Sequence, residues 1–188
     1  MRRIGKLAEG SLPLFISGNM EIKVPAGCDI KVEGNLVVAT MSGESHKFPF
    51  NSRKVKVEVA GDLVKITPIK KLRRETHAVI NSMAKHLGNV FKGDLAPYIK
   101  NLQVVYAHFP ISIEVKGARV TIKNFLGEKL PRQADIVGKV QVSVSGQDIV
   151  VKGASKDAVG QTAANIIQSV KITGKDRRVF QDGIYQVK

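Results

Sequence analysis

The chain has 188 residues, 43% hydrophobic and 24% charged, which is the composition of a folded globular protein rather than a disordered tail. Thirty Lys and Arg face sixteen Asp and Glu, a formal net charge of +14; such self-repulsion points to a polyanionic partner, nucleic acid first, and no basic amphipathic helix suggests a membrane surface instead. The single cysteine, Cys28, excludes a disulfide framework and a CxxC metal pair and suits a reducing, cytoplasmic compartment, and no apolar stretch approaches the ~20 residues that cross a bilayer.

Residues 1–21 read as a basic N-terminal extension, ordered on a partner. Arg2, Arg3 and Lys6 open it, and Pro13 and Glu9 spoil its short apolar patch as a secretory or transit peptide. From residue 22 the chain reads as a first α+β domain, 22–93. The stretch 30–44, IKVEGNLVVATMSGE, alternates apolar and polar residues about Gly34, and 57–66, VEVAGDLVKI, does so about Gly61-Asp62; both predict β-hairpins. A helix follows, with Val79, Met83, Leu87 and Val90 at i, i+4, i+8 and i+11 and Thr76 as its N-cap. Gly93-Asp94-Leu95-Ala96-Pro97 punctuates the chain and marks the boundary.

The same order then recurs over 94–170. Residues 113–128, IEVKGARVTIKNFLGE, turn at Gly117, and 142–152, VSVSGQDIVVK, turn at Gly146-Gln147-Asp148. Val159, Ala163, Ile167 and Val170 repeat the helical spacing, with Ser155 as N-cap. Two hairpins and a helix recurring in order imply a tandem duplication. The fold class is therefore α+β, each of two domains being an antiparallel sheet packed on one face by a helix. A charged tail, 171–188, follows the second domain and has no sequence counterpart in the first.

The charge clusters suggest where phosphates are held. Lys70, Lys71, Arg73 and Arg74 precede the first helix; Lys123, Lys129 and Arg132 surround Asn124 to Glu128; Lys171, Lys175, Arg177 and Arg178 open the tail. Lys grips phosphate as a point charge and Arg as a bidentate fork, and Gly127 and Gly174 let backbone approach closely. For any one of these side chains a solvated loop position is an equally good reading. Catalytic patterns fail: His46, His77, His86 and His108 are scattered, Cys28 has no basic neighbour, and GxSxG, P-loop and GxGxxG motifs are absent. His108, between Tyr106 and Phe109, reads as structural. No metal, cofactor or enzymatic activity is expected. Aromatic residues are only 5% of the chain, without Trp, which argues against an RRM-like stacking platform, and no GXXG loop suggests a KH domain. Recognition of folded RNA by backbone and shape fits best.

Three ordered motifs carry a family resemblance: Val105 to Ile111 (VYAHFPI), Lys123 to Lys129 (KNFLGEK) and Lys175 to Tyr185 (KDRRVFQDGIY). Together with the Ile22–Gly27 opening, they resemble the universal large-subunit ribosomal protein L-six, called L-nine in eukaryotes, in its eukaryotic and archaeal branch. The resemblance runs from about Ile22 to Tyr185. It implies a duplicated two-domain fold and an architectural role in the large subunit near the translation-factor-binding region. The implied partners are ribosomal RNA around the sarcin–ricin loop and neighbouring ribosomal proteins at the stalk base. Carried over by motif, Lys123, Asn124 and Lys129, with Lys175, Arg177 and Arg178, would lie against the RNA, together with the neighbouring Lys171. Arg132 is a candidate in a segment, Leu130 to Gln133, that departs from the eukaryotic pattern of a denser arginine run. A non-ribosomal RNA-binding assembly factor on the same fold is the alternative.

Overall fold

A computed structural model describes residues 14–16, 19–25, 27–41, 44–61, 63–69, 73–176 and 178–187. The chain divides into two units, 1–91 and 92–188, and each repeats one plan built from hairpins and a helix.

In the first unit β1 (Leu14–Ile16), β2 (Asn19–Lys23), β7 (Leu63–Pro68) and β6 (Val55–Ala60) make a four-stranded antiparallel sheet in the order β1-β2-β7-β6. β3 (Cys28–Glu33), β4 (Leu36–Met41) and β5 (Glu44–Pro49) make a separate three-stranded sheet. α1 spans Arg74–Leu95. Alternation sends Met20, Ile22, Val57, Val64 and Ile66 inward from one sheet and Val37, Ala39 and Met41 from the other. They close a core with Ile80, Met83, Ala84, Leu87, Val90 and Phe91 of the helix. The helix stripe centres on Ile80, with Val79 only half-buried. Thr76 lies inside α1 rather than at its cap, and the first turn closes from the His77 N–H to the Arg73 carbonyl at 3.0 Å.

In the second unit β12 (Gln141–Ser145), β13 (Asp148–Gly153), β8 (Tyr98–Val105) and β14 (Gly183–Val187) form the four-stranded sheet in that order. β9 (Ser112–Lys116), β10 (Arg119–Lys123) and β11 (Arg132–Asp135) form the three-stranded one, and α2 spans Lys156–Ser169. Leu102, Val104, Val120, Ile122, Ile149, Val151, Val159, Ala163, Ile166 and Ile184 are buried together. Ser155 does cap α2: its side-chain oxygen accepts from the Ala158 N–H at 3.3 Å.

The duplication is therefore α+β as expected, with one refinement: the two hairpins of each repeat belong to different sheets. The turns explain the repeat's regularity. Gly34, Gly117 and Gly146 hold φ of +59°, +57° and +60° in two-residue hairpin loops, while the residue after each stays at negative φ. Positive φ at the first loop position alone is the type II′ geometry that favours glycine there. The tail also proves to have a counterpart by position. β14 holds the edge place beside β8 that β1 holds beside β2. One copy takes this strand from before its repeat and the other from after it, so folded structure begins within the 1–21 extension.

Candidate nucleic-acid interface

The second unit brings the three motif segments together. After β10 the chain enters a tight turn, Phe125–Gly127, with left-handed residues before and within it. Asn124 has φ +59°, Leu126 +51° and Gly127 +77°. A left-handed leucine costs about 1–2 kcal/mol. It is held by burial of Phe125, by packing of Leu126 on the second core, and by the Glu128 N–H donating to the Phe125 carbonyl at 3.0 Å. Asn124 Nδ2 donates to the Pro110 carbonyl at 3.0 Å, tying this turn to the 106–110 segment.

Arg132 fastens the turn to the tail. Its Nε and Nη2 donate to the two carboxylate oxygens of Glu128 at 2.8 and 2.6 Å. Nη1 donates to the carbonyls of Ser169 and Lys171 at 2.9 and 3.1 Å, just where α2 ends. The guanidinium also lies over the Phe125 ring, 4.4 Å from its centroid. Four of its five N–H groups are thus committed within the protein. The Arg132 hydrogen bond holds the Glu128 carboxyl below its usual range; burial opposes it, and the Arg132 and Lys175 charges reinforce it. The same hydrogen bond raises the Arg132 guanidinium.

The tail is folded by its own side chains. Asp176 Oδ1 accepts from the Arg178 N–H at 2.9 Å, and its carbonyl accepts from the Phe180 N–H at 2.9 Å. Buried Asp182 accepts at Oδ1 from the Ala107 N–H at 3.2 Å, joining the tail to the 106–110 segment. The Tyr185 hydroxyl donates to the Gln181 carbonyl at 3.0 Å.

The candidate residues separate on this geometry. Lys129, Lys171, Lys175 and Arg178 have exposed side chains beside the turn and along the tail, with no ion pair to a described residue. Lys175 Nζ sits over the Phe180 ring at 4.7 Å. Lys123 instead donates to Glu114, which Lys116 also approaches at 3.2 Å; hydrogen bonds from the two lysines and their charges hold the Glu114 carboxyl low. Asn124 uses its Nδ2, and Arg132 four of its five N–H groups, on the protein's own frame. Arg177 lies outside the described residues, as do Lys70 and Lys71. Charge counting and motif matching missed the apolar part of this face: Phe109, Val179 and Phe180 are exposed beside the cations. Their signal was aromatic residues standing next to basic ones. His108 is also exposed, edge-on to Phe109, so it belongs to this surface rather than to a core.

Among the described residues no group of three or more His, Cys, Asp or Glu could hold a metal, and no helix is long and apolar enough to cross a membrane. The family model for ribosomal protein L6 matches residues 109–183, which contain the turn, the clamp and the tail as far as Gly183. Similar curated proteins include three named large ribosomal subunit protein uL6. That of Archaeoglobus fulgidus is 42% identical, covering 89% of this chain and 87% of its own length. That of Methanosarcina mazei is 40% identical over 89% and 94%, and that of Methanococcus vannielii 36% identical over 89% and 92%. The chain belongs to the ribosomal protein L6 family, in its archaeal and eukaryotic branch, and is a structural protein rather than an enzyme.

Proposed function

We propose that the chain is a structural constituent of the large ribosomal subunit, and that it binds large-subunit ribosomal RNA through the face formed by residues 123–132 and 171–182. The observation that carries this reading is the gathering of Lys129, Lys171, Lys175 and Arg178 around a turn and tail already braced by Arg132, Asn124 and Asp182. Preformed backbone with outward cations suits phosphate binding, because little order is lost on association. On the family's motif alone, Lys123 and Arg177 are proposed as further RNA contacts. The finer placement, by the translation-factor site near the sarcin–ricin loop and the stalk-base proteins, rests on the family alone.

Sedimentation of lysate through sucrose in high salt tests the reading. The expected result is retention on the large subunit and polysomes at near one copy per particle. Stripping to the top of the gradient, or restriction to immature particles, would make the chain a loosely bound partner or assembly factor. For the finer placement, a hydroxyl-radical source tethered at position 129 in a Cys28→Ser background is expected to cut near the sarcin–ricin loop. Cuts confined elsewhere would refute it.

A further inference from the structure

We propose that the cleft between the 106–110 segment, the 125–127 turn and the tail is a binding site for one unpaired RNA base. This deepens the RNA reading above and rests on it. The cleft holds about 250 Å³ and is lined by Ala107, Phe109, Leu126, Lys175, Phe180 and Asp182, among others. Two of the chain's seven phenylalanines line it, exposed at 41% and 38%, and Val179 beside them is 74% exposed. A single exposed apolar side chain needs no explanation, but aromatic rings converging on a concavity do.

The chemistry of the walls matches a nucleotide. Aromatic faces accept any base by stacking, and base–aromatic stacks recur where proteins hold single-stranded nucleic acid. The Lys175 ammonium, 4.7 Å from the centroid of the Phe180 ring, puts a cation among the residues lining the cleft for the nucleotide's own phosphate. Asp182, 5% exposed, uses Oδ1 on the Ala107 N–H; among the described residues nothing bonds its Oδ2, which can accept from a base amino or ring N–H. The cleft is also preformed. The Phe109 ring packs on Gly127, its tip 3.3 Å from where a Cβ would stand, so no side chain at 127 fills the space. A stacked base adds affinity without neutralising a phosphate, which separates it from the lysines and arginines around it.

The test uses the full chain and a transcript of the large-subunit RNA from the same organism, with binding measured across a salt series. Phe180→Leu is expected to lose on the order of tenfold in affinity at every salt concentration, with the salt slope unchanged, while Phe180→Tyr binds as the wild type does. Chemical probing of base edges should show one nucleotide protected by the wild-type and Tyr chains and reactive with the Leu chain. Zero-length ultraviolet cross-linking of the unmodified chain in large subunits should leave a single-nucleotide adduct on 105–111 or 175–182. Wild-type affinity and protection in Phe180→Leu would overturn the base site while leaving the phosphate face standing, and so would cross-links from this cleft to protein alone. If Lys171→Ala and Arg178→Ala together also leave the salt slope unchanged, the RNA reading itself falls.

Discussion

Arg132 shows how one side chain can be misread from its charge. In the sequence it is one cation among several, in a segment where the family pattern weakens. In the fold it clasps Glu128, two carbonyls at the end of α2 and the face of Phe125. Arg132→Ala is expected to cost about 2 kcal/mol of stability, because two backbone carbonyls lose a charged donor. Urea unfolding checks this, and an unchanged midpoint would contradict it. The Glu128 carboxyl provides a second readout. Its folded-state pKa is depressed, so the clasp contributes fully above the ordinary carboxylate range and is lost as pH falls through the depressed value. In Arg132→Ala the Glu128 titration midpoint, followed by NMR, should move up. Gly93, buried in α1, is a different case: a Cβ there would stand 1.9 Å from the Ala154 carbonyl oxygen. Backbone cannot yield cheaply at that distance, so Gly93→Ala should destabilise the second unit by about 3 kcal/mol in thermal unfolding.

Hairpins and helices were the legible elements, because each rests on local physics. Gly34, Gly117 and Gly146 mark loops whose first residue must take positive φ, and Ser155 stands where a helix leaves an unbonded N–H. Gly146→Ala should therefore cost about 1–2 kcal/mol and Ser155→Ala about 1 kcal/mol, both read from denaturation midpoints. What stayed illegible depends on tertiary pairing. Alternation identifies the strands about Gly34 and Gly61 but cannot say that they enter different sheets. The short β1 and the late β14 look like an extension and a tail, and only pairing with β2 and β8 makes them equivalent edge strands. Thr76 looked like a cap by residue type, yet the helix starts two residues earlier, at Arg74. The candidate site divides in the same way. Lys129, Lys171, Lys175 and Arg178 were legible as cations, whereas the internal engagements of Asn124 and Arg132 needed partners far away in sequence.

At the scale of the whole molecule, a net charge of +14 on two small folded units implies a polyanion that offsets their self-repulsion. Both units carry that charge, but the braced turn and tail belong to the second alone, so the second half of the chain is expected to bind RNA more tightly than the first. Equal affinities of the two halves would contradict this. The most direct test of the central claim is the salt dependence of RNA binding by the full chain with Arg177 and Arg178 changed to alanine. The account predicts weaker binding and a slope shallower by up to about 0.9 log units for each phosphate left without its arginine, as on duplex of B-DNA charge density. An unchanged slope would remove these arginines from the RNA-binding face.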